Sequence, residues 1–198
     1  MKSIVWVTSG YLLQVDLPIL DQLNKVYKIK WIVVASEKSD QWQHAKEYAQ
    51  HNNIDVEFFS LHHHRYLPTT YFEYAKLVEH LAKMNYDLYY FDIIAFPYLI
   101  FAIKKYLPSE KVIMAMHHGK IHNGMQLRHL YKYYLKYLCK QKFWFQYFSD
   151  TQAQYFTGNQ SHRFMIPLAL NDFGQASVHP SKEYVQFLSF GHIIETKN

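Results

Sequence analysis

Seven short apolar runs, each parted from the next by a helical or loop-like stretch, constrain this chain more than any other feature. They fall at residues 3–8, 29–35, 56–59, 87–92, 112–116, 143–149 and 163–168. Most lack the polar–apolar alternation of a strand with one wet face, so they suit strands buried on both sides. Strands that alternate with helices predict an α/β fold: a doubly wound, mostly parallel sheet of six or seven strands. In such a sheet, ligands gather at the carboxyl ends of the strands.

The run Val112–Met116 shows what this predicts for function. It is followed at once by His117, His118 and Gly119, which puts two histidines on the carboxyl rim. Other polar residues follow strand ends in the same way. Ser9 and Gly10 come after the first strand, Arg65 after the third, and Asp92 closes the fourth. A glycine after a first strand permits a tight turn and a close backbone approach to a ligand. Asp16 is placed to cap a helix with Pro18 in its first turn, running to about Tyr27. Asp40 is expected to cap a second helix over 41–51, and Pro68-Thr69 to open a third, with Tyr71, Tyr74, Val78 and Leu81 on one stripe. A further helix is expected over 96–106 and the longest over 125–142.

Several function classes are excluded or weakened. There is no GxGxxG and no GxxxxGK[ST], so neither nucleotide fingerprint applies. The consecutive His62, His63 and His64 invite a metal reading, yet neighbours along a loop do not easily aim at one ion, and no second cluster at helical spacing joins them. No metal is therefore expected, and a polar loop touching an anionic ligand is the better account. The lone Cys139 rules out a disulfide framework and suits a reducing cytoplasm. No apolar stretch is long enough to span a bilayer. Lysine and arginine number 21 against 16 acids, with a pI near 9.0. That excess favours acidic partners, but no nucleic-acid-binding motif accompanies it, and nucleic acid is not expected.

The order of the motifs resembles a known family. Five stretches carry the likeness: Val5–Gly10; Asn85–Tyr90, similar to a "pDvvh" strand; Lys111–Gly119, similar to "vvtlHd"; Phe145–Ser149 with Phe164–Pro167 behind it, similar to "ad.iia.S" and "v.vipN"; and Phe187–Asn198, similar to "flfvGRl...KG". Together they resemble the N-terminal, acceptor-side half of a GT-B-fold glycosyltransferase of the retaining group 1 type, with a Rossmann-like lobe. The resemblance implies a Rossmann-like acceptor-side domain over 1–168, a linker over 169–184, and the start of a nucleotide-sugar domain over 185–198. It implies glycan biosynthesis by transfer of a sugar from a nucleotide-sugar donor, a co-substrate rather than a cofactor, to a glycan or lipid-linked acceptor. Neither a metal nor a resident cofactor is implied.

Carried over residue by residue, the resemblance gives the cleft histidine to His117, with His118 as its rival. It gives close approach to the donor phosphates to Gly10, and a diphosphate contact to Lys197. His192 stands where the family has arginine, replacing a fixed guanidinium fork with a titratable ring. Leu168 stands where it has asparagine. The family's E-x7-E region falls beyond residue 198. Ser9, Asp16, Arg65 and Asp92, in loops at strand ends, are expected to line the acceptor side of the cleft. Two further readings accompany this one. The basic face of the 125–142 helix (Arg128, His129, Lys132, Lys136, Lys140) would suit an anionic membrane at the inner cytoplasmic face, or else be a solvated surface over a core stripe. The chain could also serve as a non-catalytic acceptor-binding or scaffold subunit that pairs with a separate donor-binding chain.

Overall fold

The computed structural model of the chain describes residues 1–9, 13–35, 37, 39–62, 67–92, 97–116, 133, 137–138, 140–148 and 162–165. Seven strands form one sheet: β1 (Ser3–Thr8), β2 (Lys28–Val34), β3 (Val56–Phe59), β4 (Leu88–Asp92), β5 (Val112–Met116), β6 (Trp144–Tyr147) and β7 (Arg163–Met165). Their spatial order is β3-β2-β1-β4-β5-β6-β7, and every neighbouring pair is parallel. The expected doubly wound, Rossmann-like architecture is what the chain adopts, with a sheet that is wholly rather than mostly parallel.

The burial pattern explains why this sequence makes this sheet. Odd and even positions of the central strands are both apolar, so each strand serves two cores. On one face Val5, Val7, Tyr89, Phe91, Val112 and Met114 pack against helices α3 (Thr70–Lys83) and α4 (Pro97–Tyr106). On the other, Ile4, Trp6, Trp31, Val33 and Tyr90 pack against α1 (Leu13–Asn24) and α2 (Asp40–His51). The predicted stripe of α3 is confirmed at Tyr74, Val78 and Leu81, all buried. Of the expected 125–142 helix, Tyr133, Tyr137 and Leu138 are helical, and Leu138 is fully buried as its stripe requires.

Two helix starts differ from expectation. The second helix is capped by Ser39, not Asp40: the Ser39 hydroxyl accepts from the Trp42 backbone N–H at 3.2 Å, and Asp40 is the first helical residue. Asp40 still favours the positive end of the helix from inside the first turn. Ser39→Ala is expected to cost about 1 kcal/mol, read as a lowered denaturant midpoint at unchanged slope. The first helix begins at Leu13, three residues before the predicted cap, so Asp16 lies inside its first turn and Pro18 inside its body. The reason is burial. Asp16, Leu20 and Leu23 share one stripe at helical spacing, and that stripe faces the sheet.

At the amino edge of the sheet, Asp87 clamps β1 to β4. Its Oδ2 accepts from the Ser3 backbone N–H at 2.8 Å and from the Ser3 hydroxyl at 3.0 Å, and these bonds hold its carboxyl below the usual range. Asn85 ends the α3 connection with φ of 48°, a left-handed conformation that asparagine tolerates better than most residues.

Candidate functional site

The strand order reverses between β1 and β4. From β1 the chain builds outward to β2 and β3, then crosses back to place β4 on the other side. The carboxyl rim at such a switch point is the standard place for a ligand in an open α/β sheet. Thr8 and Asp92 are paired across it, as the last residues of their strands. Both are buried, and Thr8 Oγ1 accepts a hydrogen bond from the Trp31 indole at 3.1 Å. Ser9 follows Thr8 and is half-buried.

Asp16 comes to the same place from α1. It is only 2% exposed and Asp92 only 7%, and the two carboxyls are hydrogen-bonded to each other. Burial first, and then the charge and hydrogen bond of Asp92, push the Asp16 carboxyl up to about 9. At neutral pH Asp16 therefore holds a proton, with Asp92 beside it as its electrostatic partner. Two of the residues predicted from strand-end position thus meet in one buried carboxyl pair. The reading of Asp16 as a surface cap is corrected by the same geometry.

The pair has a polar neighbour below it. Tyr90 lies two residues before Asp92 on the same face of β4, and its hydroxyl donates to Gln146 Oε1 on β6 at 2.9 Å. Burial, and then the negative fields of Asp92 and Asp16, raise the Tyr90 phenol, so it stays neutral and donates. The Tyr90 ring rests 4.5 Å from that of Trp6. Sequence reading missed this Tyr90–Gln146 link. Both residues sit in runs read as plain core, and the signal is a glutamine at an interior strand position.

A cavity of about 780 Å³ lies on the α1 side of the sheet, lined by residues that include Ile4, Trp6, Ile19, Tyr90, Ile113 and Gln146. Its lining also includes Ser3 and Leu88, the first residues of β1 and β4, with Lys2 and Asp87 just before them, so it is set below the rim. The buried Trp6 Nε1 has no hydrogen-bond partner among the described residues.

The remaining predicted positions, Gly10, Arg65, His117, His118, His192 and Lys197, lie outside the described residues, as do the proposed linker over 169–184 and second-domain start over 185–198. His62, from the histidine run, is exposed-side chain rather than core, and its backbone N–H donates to Glu73 Oε1 at 3.1 Å.

No protein-family model matches the chain, and no curated protein matches it. Among solved structures, a glycosyltransferase from Rickettsia africae ESF-5 superposes with a TM-score of 0.56 at 15% identity, covering 84% of this chain and 42% of that one. A short-chain dehydrogenase from Oenococcus oeni PSU-1 overlaps at a TM-score of 0.42 and 11% identity, over 73% of this chain and 74% of that one, too loosely to bear on the fold. The chain thus spans less than half the length of the glycosyltransferase, and shares with it the fold of a Rossmann-like α/β lobe.

Proposed function

We propose that this chain is the acceptor-side lobe of a nucleotide-sugar-dependent glycosyltransferase of the GT-B, group 1 type. The observation that carries the reading is the Asp16–Asp92 pair at the switch point between β1 and β4. A buried carboxyl pair costs stability, and such groups persist mainly where they are used. Sugar hydroxyls are recognised by carboxylates that accept from them, and Asp92 supplies that acceptor at the rim. Asp16, protonated, can donate to a sugar oxygen or hold Asp92 in place. The glycosyltransferase fold neighbour and the order of the sequence motifs support the same reading.

In this reading Ser9, Asp16 and Asp92 line the acceptor wall, and Arg65, His117 and His118, which follow β3 and β5 in the sequence, join them. His117 or His118 contacts the transferred sugar. Gly10 approaches the donor phosphates, and Lys197 and His192 meet the diphosphate. Charge develops on the leaving diphosphate as the glycosidic bond breaks, and basic groups with backbone amides stabilise it without a metal.

The test uses this chain with and without a donor-binding lobe, whether that lobe is continuous with it or a separate subunit. A panel of nucleotide sugars and glycan or lipid-linked acceptors is expected to give transfer only when both lobes are present. Asp92→Asn is expected to raise the acceptor KM about tenfold or more, the scale of one lost charge-assisted hydrogen bond. Turnover by the 198-residue chain alone, or an unchanged KM in a folded Asp92→Asn protein, would contradict the proposal.

A further inference from the structure

The outer surface of α3 and α4 carries a feature that sugar transfer does not explain. Phe72 on α3 is 67% exposed, Phe101 on α4 is 44% exposed, and helical Tyr133 is 70% exposed. The other exposed large apolar side chains among the described residues, Met1, Val26, Leu67, Trp144 and Met165, come from separate parts of the chain, and Trp144 is the one aromatic among them. Scattered exposure is ordinary; grouped aromatic exposure is not.

Ring and cation contacts flank Phe72 and Phe101. Phe101 packs edge-on against Tyr137, centroids 5.5 Å apart. Lys104 Nζ donates to the Tyr137 hydroxyl at 3.1 Å and lies 5.3 Å from its ring centre. Phe72 packs edge-on against Tyr71 at 5.7 Å, and Lys105, 4.9 Å above the Tyr106 ring, also interacts with Tyr71. Phe101, Lys104 and Lys105 are spaced i, i+3 and i+4, so they form the outward stripe of α4; Lys76 lies one turn beyond Phe72 on α3.

Charge on this surface is in positive excess: Lys76, Lys83, Lys104 and Lys105 stand against Glu73 and Glu79. Glu79 pairs with Lys83 at 3.1 Å and its field reaches Lys105, and Glu73 accepts from the His62 backbone. Lys76, Lys104 and Lys105 remain as exposed cations around the aromatic side chains. Aromatic rings that seek the headgroup boundary, ringed by lysines, fit the surface of an anionic bilayer. Among the described residues no helix is long and apolar enough to cross a membrane, so the contact is peripheral. We infer that the α3–α4 face docks on a bilayer containing anionic lipid, with Phe72 and Phe101 at the headgroup level and the three lysines over the lipid charges. The inference stands apart from the sugar-transfer reading, since it needs neither donor nor acceptor. It places the membrane contact on α3 and α4; the basic face of the 125–142 helix lies almost wholly outside the described residues.

The test is sedimentation of the purified chain with vesicles of phosphatidylcholine alone or mixed with phosphatidylserine. Binding is expected only with phosphatidylserine, and is expected to weaken as salt is raised. Lys104→Glu with Lys105→Glu lowers partitioning about 30-fold or more, taking roughly 1 kcal/mol per removed lysine. Phe72→Ser with Phe101→Ser lowers it at unchanged net charge, which a purely electrostatic attraction would not do. All four positions are outside the core, so melting temperature serves as the control for folding. No pelleting with phosphatidylserine, or equal pelleting by both double variants, overturns the inference. A chain that is dimeric in solution and becomes monomeric on Phe101→Ser would assign this face to a second copy and overturn it equally.

Discussion

Asp16→Asn is expected to stabilise the protein, and to do so most at alkaline pH. The sign follows from proton counting. The Asp16 carboxyl is raised from 3.8 to about 9 in the folded chain, so between those values the folded state binds more protons than the unfolded one. Stability from this group is fully present below about pH 4 and is lost as pH rises towards 9. Each pH unit in that window costs about 1.4 kcal/mol, or about 4 kcal/mol by neutrality as an upper bound. Asparagine is nearly isosteric, can donate to Asp92 and needs no proton. At pH 8 the variant should therefore melt roughly 5–10 °C above the parent chain, on the scale of 2–4 °C per kcal/mol for a protein of this size. At pH 4.5 the two should nearly coincide. Equal melting temperatures at both values would show that the two carboxyls do not share a buried environment.

The second large effect concerns turnover. With a donor-binding lobe present, His117→Ala or His118→Ala is expected to lower kcat about 10²-fold or more, the usual scale for losing a positioned polar group at a reacting centre. The strand register supports the choice. Phe91 pairs with Met114, so Ala115 is level with Asp92 and β5 ends at Met116, one residue higher at the rim. The two histidines are the next residues in the chain. Steady-state kinetics on the two variants decides between them. The one that faces the sugar loses kcat, and full activity in both removes the assignment.

The architecture was legible because its physics is local. A run such as Val112–Met116 is apolar at every position, which suits a strand with both faces covered, and helical spacing in the stretches between the earlier runs marks α1 to α4. Asp92 was legible for the same reason, as the polar residue that ends an apolar run. Asp16 was harder, because an aspartate near a helix start is usually a cap. Its spacing from Leu20 and Leu23 placed it on the buried stripe, and that periodicity outweighs the capping preference. Ser39 was passed over for Asp40 because both residue types cap, and only backbone geometry separates them. The Tyr90–Gln146 bond joins residues 56 apart, and no local pattern encodes it.

The central position of β1 has a consequence for biosynthesis. This strand is made before one of its two neighbours, β4, which is tied to it through residues 84 apart at the Ser3–Asp87 clamp. At roughly 5–20 residues per second of translation, β1 waits on the order of 4–17 s with one edge unpaired, beside β2 and β3. The nascent β1–β3 segment is then an open template for stray strand pairing, and slowing elongation before β4 should lower the soluble yield.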